Sequence, residues 1–272
     1  MGFIFEEGEP VKVGPDGQHD FEKAEGQGLQ DSGESTLVFV EDTGLGGGTL
    51  IDDWERGNVD PYTEEDPENL GGFGVTTATV YEGTYAFEIF MNSDADQSGG
   101  QVHAVATESS GLNSVPKPGD TWTQRFIYPD GQGYTADFEV IFGADGTYSG
   151  PHYWSQISFE ATADGGAQDD TTLRMGERGS NTASSTAGDT FDPDTYSGQW
   201  LEWEITWNED NTASSLLRDD NGNQFASQSI SYNQDLTGDT YALSMNYLTA
   251  DDVANDVNGT LYGYFDIAQK TV

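Results

Sequence analysis

Residues Gln199–Trp207 read QWLEWEITW, and this stretch decides the fold. Large apolar side chains occupy every second position, and acidic or hydroxyl side chains occupy the positions between them. A period of two is that of a β-strand with one buried face and one exposed face. The apolar set is Leu201, Trp203, Ile205 and Trp207, and the polar set is Glu202, Glu204 and Thr206.

The same alternation recurs along most of the chain, and long amphipathic helix patterns are missing. Turn dipeptides separate the alternating runs, and Asn221-Gly222 between two such runs is a strong hairpin signal. About a dozen short strands joined by turns predict an all-β, antiparallel β-sandwich over residues 49–272. The other alternating runs are Tyr85–Met91, Trp122–Tyr128, Phe138–Phe142, Tyr241–Tyr247 and Leu261–Ile267. The other turn dipeptides are Asp130-Gly131, Asp145-Gly146 and Asp164-Gly165.

Residues 1–48 differ from the rest, being rich in glycine and acid with one short strand candidate, Thr36–Glu41. The glycine-rich run Gly44–Gly48 is typical of a flexible hinge. We therefore predict an N-terminal extended arm that docks to other proteins. A disordered leader is the alternative.

The charge is strongly one-sided: 9 Lys and Arg stand against 49 Asp and Glu, a formal net charge of −40. Near molar salt the Debye length falls to about 3 Å, so the carboxylates no longer repel one another over long distances. The composition predicts a halophile's protein in a high-salt environment. The few scattered cations argue against nucleic-acid binding.

Several chemical classes are disfavoured by what the sequence lacks. It has no cysteine, and its three histidines do not show zinc-ligand spacing. No apolar run reaches the length of a bilayer span, so membrane insertion is not expected. Residues Met1–Glu9 carry neither a cation nor a long apolar stretch, so we expect no secretory signal there. A virion surface or an extracellular location fits these features.

Five segments, in order, resemble strand motifs of haloarchaeal concanavalin A-like (laminin G-like) modules. They are Leu50–Gly57 (LIDDWERG), Phe73–Phe87 (FGVTTATVYEGTYAF), Gly198–Glu204 (GQWLEWE), Asn211–Ser227 and Gly259–Ile267. The resemblance implies a jelly roll of two curved antiparallel sheets. It also implies one of three roles: glycan binding, polysaccharide cleavage, or a structural part in secreted and virion proteins.

Modules of this type often hold a structural cation where the first and last strands meet. The matching positions are Asp53, Glu55 and Asp266, so the resemblance implies a calcium or magnesium ion there. Calcium takes six to eight oxygen ligands, which carboxylates and loop carbonyls supply. With 49 acids in the chain, carboxylates that merely face the solvent are the alternative.

A cluster of rings in the middle of the chain is a candidate glycan surface. Tyr148, His152, Tyr153 and Trp154 lie around Gly150-Pro151, which indicates an irregular edge. Aromatic rings can stack on sugar faces, and cell-surface glycans are the expected ligands. The alternative is that these rings fill the core.

The evidence for catalysis is weaker in the sequence. Glu202 and Glu204 lie on one strand face, as paired carboxylates of a glycosidase could. However, the glucanase signature E-x-D-x-x-E is not met, and Gln156-Ile157-Ser158 lacks the histidine of a lyase motif. We therefore expect solvated acids at Glu202 and Glu204, and no enzyme.

These features together favour a structural or attachment protein of a haloarchaeal virus particle, such as a turret, spike, decoration or tail-fibre subunit. It would form a homo-oligomer, and residues 1–48 would dock to other virion proteins. Arg174 and Arg178 are candidates for intersubunit contacts. An exported glycan-binding module and a polysaccharide-degrading enzyme are the alternatives.

Overall fold

The computed structural model of the chain divides into two compact units, residues 1–47 and 48–272. No helix among the described residues is long and apolar enough to cross a bilayer. The described residues are 3–6, 9–12, 48–64, 71–92, 101–107, 109–110, 112, 115–127, 135–143, 152–159, 171–178, 183–196, 198–231, 241–250 and 260–271.

The first unit contains a hairpin of two strands, β1 (Phe3–Glu6) and β2 (Glu9–Lys12), which pair antiparallel. The sequence pattern predicted an extended arm here, with Thr36–Glu41 as its one strand candidate. Strands of four residues are too short for alternation to stand out, which explains why the hairpin was missed. The strand predicted at Thr36–Glu41 lies outside the described residues.

The second unit is a sandwich of two antiparallel sheets, which confirms the predicted fold class. One sheet has eight strands in the order β15-β14-β13-β8-β17-β6-β5, and β3 also pairs with β17. The other has seven strands in the order β12-β11-β10-β9-β16-β7-β4. One helical turn, α1 (Pro193–Tyr196), precedes β13.

The strands of the eight-stranded sheet are β3 (Thr49–Asp52), β5 (Gly71–Thr76), β6 (Ala86–Asn92), β8 (Thr121–Ile127), β13 (Leu201–Trp207), β14 (Thr212–Arg218), β15 (Gln224–Ser231) and β17 (Thr260–Thr271). Those of the seven-stranded sheet are β4 (Thr63–Glu64), β7 (Gln101–Thr107), β9 (Thr135–Gly143), β10 (His152–Phe159), β11 (Thr171–Arg178), β12 (Ala183–Phe191) and β16 (Ala242–Ala250).

The core lies between the sheets and is built largely from aromatic rings. The four apolar residues of β13 are all buried, as the alternation predicts. The Trp203 ring lies 5.2 Å from the Phe126 ring. Its Nε1–H also donates to Ser215 Oγ at 2.9 Å and to Ser155 Oγ, across the core, at 3.2 Å. Trp203 therefore links the two sheets by packing and by hydrogen bonds.

The predicted hairpin turn between β14 and β15 is confirmed. Asp219 Oδ1 accepts hydrogen bonds from the backbone N–H groups of Asn221 and Asn223, and Gly222 has φ +80°. Hydrogen bonds, first of all from the Asn223 side chain, lower the pKa of Asp219. The other three predicted turn dipeptides lie outside the described residues.

The last strand departs from simple alternation. A β-bulge lies between Asp266 and Ala268, and Ile267 adopts φ +44°. The sequence pattern placed Phe265 and Ile267 on one face, but the extra residue puts Ala268 into the core after Phe265. Asp266, the last residue before the bulge, stands directly opposite Arg125 of β8.

One outer strand of each sheet contacts the other along an edge of the sandwich. The N–H of Ser227 in β15 donates to Asp189 Oδ2 in β12 at 2.9 Å. A Cβ atom at the neighbouring Gly188 would lie 2.7 Å from both Ser227 O and Gln228 Cβ. Glycine is thus needed at position 188 for this close approach.

Candidate functional site

Three ionisable side chains of the seven-stranded sheet point away from the core. They are His103 on β7, Glu139 on β9 and Arg174 on β11, and each has core residues on both sides in sequence. Successive strand residues point to opposite faces, so all three lie on the outer face of this sheet. The flanking core residues are Val102 and Ala104, Phe138 and Val140, and Leu173 and Met175.

Strand register brings these residues to one level of the sheet. Across five adjacent strands the directly opposed positions run in the order His103, Asn246, Glu139, Gln156 and Arg174. With strands about 4.8 Å apart, the row spans about 19 Å. We call these five positions the polar row.

Two side chains of the polar row, His103 and Glu139, are enclosed although they lie on an outer face, and Arg174 is half-buried. His103 is 1% exposed and Glu139 is 7% exposed. Ile141 and Ser244, at the neighbouring level, are also buried, whereas Trp154 at that level is only half-buried. Ionisable groups in such surroundings interact more strongly with charge than they would in water. The arrangement can therefore bind, orient and exchange protons with a polar chain laid across the sheet.

The predicted glycan residues end up in different places. Trp154 is half-buried on the outer face, beside the polar row. Tyr153 belongs to the core instead, with 2% exposure and its ring edge-on to Trp207 at 5.1 Å. His152 begins β10 opposite Gly143, and Tyr148 lies outside the described residues. The alternation from Tyr153 to Ile157 already indicated an inward Tyr153.

The predicted metal ligands accept hydrogen bonds from the backbone. Glu55 Oε1 accepts from the N–H groups of Thr84 and Tyr85 at 2.7 and 2.8 Å, and Asp53 Oδ1 accepts from Glu55 N at 3.1 Å. Asp266 Oδ2 accepts from Tyr81 N at 2.8 Å. Among the described residues, no group of three or more His, Cys, Asp or Glu side chains is placed to hold a metal ion. A calcium or magnesium ion at Asp53, Glu55 and Asp266 stays a prediction.

Asp266 is an unusual carboxyl because it is fully buried. Desolvation raises the pKa of Asp266 to about 6, against the lowering effect of backbone N–H groups of Glu82, Tyr81 and Ile267. The nearby charge of Glu55 adds to the increase. The carboxyl therefore holds the segment between β5 and β6 while remaining sensitive to pH.

Glu202 and Glu204 are ion-paired rather than solvated. Both lie on the outer face of the eight-stranded sheet, where Arg218 Nη1 is 2.5 Å from Glu202 Oε1 and 2.9 Å from Glu204 Oε2. Partial burial alone would lower the pKa of Arg218, but the hydrogen bonds of the two carboxylates outweigh it and raise that pKa. Arg125 Nη2 lies 3.5 Å from Glu202. Since Arg218 occupies an oxygen of each carboxylate, these two residues do not form a free acid pair.

Sequence reasoning missed the polar row. It considered His103 only for zinc spacing, assigned Arg174 to intersubunit contacts and did not name Glu139. The available signal was an ionisable residue in the middle of an apolar strand, as in VHAVA, DFEVIF and LRM. Such a residue on an enclosed face requires a partner or a function.

Comparison with known proteins supports the fold. No protein-family model matches the chain, and no curated protein matches its sequence. A Bacteroides ovatus mixed-linkage glucan GH16 protein in complex with a G4G4G3G product has a TM-score of 0.52 and 13% identity, covering 78% of this chain and 95% of its own. A glycoside hydrolase family 16 endo-glucanase from the same organism, in complex with G4G3G-2F-DNP, gives the same values. An endo-β-1,4-glucuronan lyase from Trichoderma reesei has a TM-score of 0.47 and 14% identity, covering 84% of this chain and 92% of its own.

The chain has the jelly-roll fold of these glycoside hydrolases. This confirms the concanavalin A-like jelly roll that the sequence motifs implied. It also corrects the expectation that the chain is no enzyme, because a glycoside hydrolase family 16 endo-glucanase is among the solved structures with this fold. That expectation rested on the unmet glucanase signature at Glu202 and Glu204 and on Gln156-Ile157-Ser158, which lacks the histidine of a lyase motif.

Proposed function

We propose that this chain is a glycan-active module that binds a polysaccharide across the outer face of the seven-stranded sheet and cleaves it there. The observation that carries this proposal is the polar row, with His103 and Glu139 almost fully enclosed on an outer face. The jelly-roll fold shared with glycoside hydrolases supports it further.

The row offers the groups that glycoside cleavage needs. In hydrolysis, one group protonates the glycosidic oxygen as the C–O bond breaks, and another removes a proton from the attacking water. Glu139 and His103 can exchange protons, and their backbones lie two strands apart, about 10 Å. Arg174 supplies positive charge on the other side of Glu139.

Trp154 completes the proposed site. Its half-buried ring, at the level next to the row, offers an apolar surface on which a sugar ring can stack. Binding and cleavage would thus use neighbouring side chains on the same face of β7, β9, β10 and β11.

The test is the release of new chain ends from mixed-linkage β-glucan and from polyglucuronate in high salt. We expect Glu139→Gln to lower the rate at least about 100-fold, because the amide cannot transfer a proton. Glu204→Gln is the matched control, since it makes the same chemical change on the other sheet, and we expect it to retain activity within about twofold. Equal rates for wild type and Glu139→Gln would reject the polar row as the reacting site.

We also propose that the module works outside the cell in concentrated salt. The −40 net charge supports this, because molar salt screens repulsion that would otherwise act over the whole surface. Attachment of a virus particle, docking through residues 1–48 and a homo-oligomer stay predictions. Glycan contact through the polar row is compatible with each of them.

A further inference from the structure

A second group of side chains lies on the eight-stranded sheet and is not used by the proposed reaction. We call it the aromatic–arginine cluster: Tyr81, Arg125, Trp200, Glu202 and Asp220. Tyr81 comes from the segment between β5 and β6, Trp200 directly precedes β13, and Asp220 lies in the turn between β14 and β15. Segments far apart in sequence therefore converge on Arg125 of β8.

Contacts with neighbouring residues fix the Tyr81 and Trp200 rings nearly perpendicular to each other. The Tyr81 ring lies over the Arg125 guanidinium, 4.8 Å from it, and meets the Trp200 ring edge-on at 5.6 Å and 67°. The backbone N–H of Tyr81 is bound by Asp266, and its hydroxyl lies 3.5 Å from Asp220 Oδ1. Both rings are half-buried, so each keeps an accessible portion.

Arg125 has donors that the described part of the chain does not satisfy. Arg125 is 7% exposed. Its Nε and Nη1 atoms are buried and have no hydrogen-bond acceptor among the described residues. The Nη1 atom is 3.7 Å from Asp220 Oδ1, which is longer than a hydrogen bond. Buried arginine donors are costly to leave unmatched, and a hydroxyl group beside this pair can accept from Arg125 and donate to Asp220. The Asp220 side chain is 60% exposed, so this pair can be approached from the Asp220 side.

The charges indicate which ligand fits. Three carboxylates, Glu202, Glu204 and Asp220, stand beside two guanidinium groups, Arg125 and Arg218. The cluster is therefore net negative on a strongly negative protein, which disfavours a polyanion. Two aromatic rings next to hydrogen-bond donors and acceptors suit a neutral, hydroxyl-rich sugar. We infer that the aromatic–arginine cluster is a second, non-cleaving subsite for a neutral glycan, separate from the polar row.

Affinity electrophoresis of the full chain tests this inference. The gel contains either mixed-linkage β-glucan, which is neutral, or polyglucuronate, and all variants carry Glu139→Gln so that the polymer stays intact. We expect Trp200→Ala to weaken retention on the neutral glucan about tenfold. Tyr262→Ala is the aromatic control, because it removes an exposed ring that belongs to neither proposed site, and it should leave retention unchanged.

Asp220→Ala serves as a second variant in case Trp200→Ala fails to fold, because the Asp220 side chain is mostly exposed. We expect it to weaken retention on the neutral glucan as well. Unchanged retention on the neutral glucan in folded Trp200→Ala or Asp220→Ala would overturn the inference. The aromatic–arginine cluster would then be only an ion-pair network. Stronger Trp200-dependent retention on polyglucuronate would also overturn it.

The test separates this inference from the proposed cleavage. With Glu139 intact, Trp200→Ala should cleave short oligosaccharides at the wild-type rate. If no chain cleaves any polymer but retention still depends on Trp200, the subsite stands and the cleavage proposal fails. If the chain cleaves polymer but retention does not depend on Trp200, the cleavage proposal stands and the subsite fails.

Discussion

The outer faces of the two sheets handle charge in opposite ways. On the eight-stranded sheet, Glu202 and Glu204 share Arg218 and keep 15% and 25% of their side chains exposed. On the seven-stranded sheet, His103 and Glu139 are almost completely enclosed. Enclosing ionisable groups costs stability, so a protein tends to keep such an arrangement where it serves binding or chemistry. Ion pairs at a partly exposed surface instead hold segments in place.

The largest effect on stability is expected at Arg125. Arg125→Met keeps similar volume but removes the guanidinium beside Asp220 and one of the two beside Glu202, so the free energy of unfolding should fall by about 2–3 kcal/mol. Urea unfolding in high salt measures this loss. An unchanged midpoint would show that the ion pairs do not stabilise this face.

For comparison, Glu139→Gln removes a charged group from the outer face of the seven-stranded sheet. The amide keeps the size of the carboxyl group and can still form hydrogen bonds, so we expect stability to change by less than about 1 kcal/mol. A loss as large as that of Arg125→Met would mean that the polar row is structural, and the contrast between the two faces would fail.

A pH series tests Asp266, the buried anchor of the eight-stranded sheet. The pKa of Asp266 is about 6 in the folded chain and about 3.9 in an unfolded one. The folded state therefore binds the proton more tightly, so this carboxyl stabilises the fold as pH falls from 7 toward 4. The gain is about 1–2 kcal/mol.

Asp266→Asn cannot titrate and should lack this increment, which urea midpoints at pH 7 and 4.5 for both proteins would reveal. All other acids are common to the two chains and cancel in the comparison. Parallel pH profiles would mean that Asp266 keeps an ordinary pKa.

Of the two arginines on the eight-stranded sheet, the smaller effect is expected at Arg218, which is 25% exposed. Arg218→Met should cost about 1 kcal/mol at moderate salt, because exposed ion pairs contribute little and salt screens them. The cost should shrink as salt rises, as urea unfolding across a salt series would show. A salt-independent cost would instead indicate that the packing of the Arg218 side chain matters.

Much of the sandwich could be predicted because alternation marks each strand locally. Leu201, Trp203, Ile205 and Trp207 are buried as their spacing indicates, and Asn221-Gly222 makes the expected turn. The bulge at Ile267 could not be predicted this way, because one extra residue reverses the faces of all that follow.

The polar row could not be assembled from sequence for a different reason. His103, Glu139 and Arg174 come from strands separated by long stretches of chain, and only the pairing register places them at one level. Glu202 and Glu204 looked more like a site because they are neighbours in sequence. Arg218, which forms ion pairs with both of them, comes from the next strand.

The contact between β12 and β15 also affects how copies of the molecule meet in brine. There, salt removes the long-range repulsion that keeps acidic proteins apart in dilute buffer. Ser227 gives its N–H to Asp189 within the same chain, so that group is not available to an extended segment of another copy. At this point of the margin, the close contact hinders the addition of a strand from another copy.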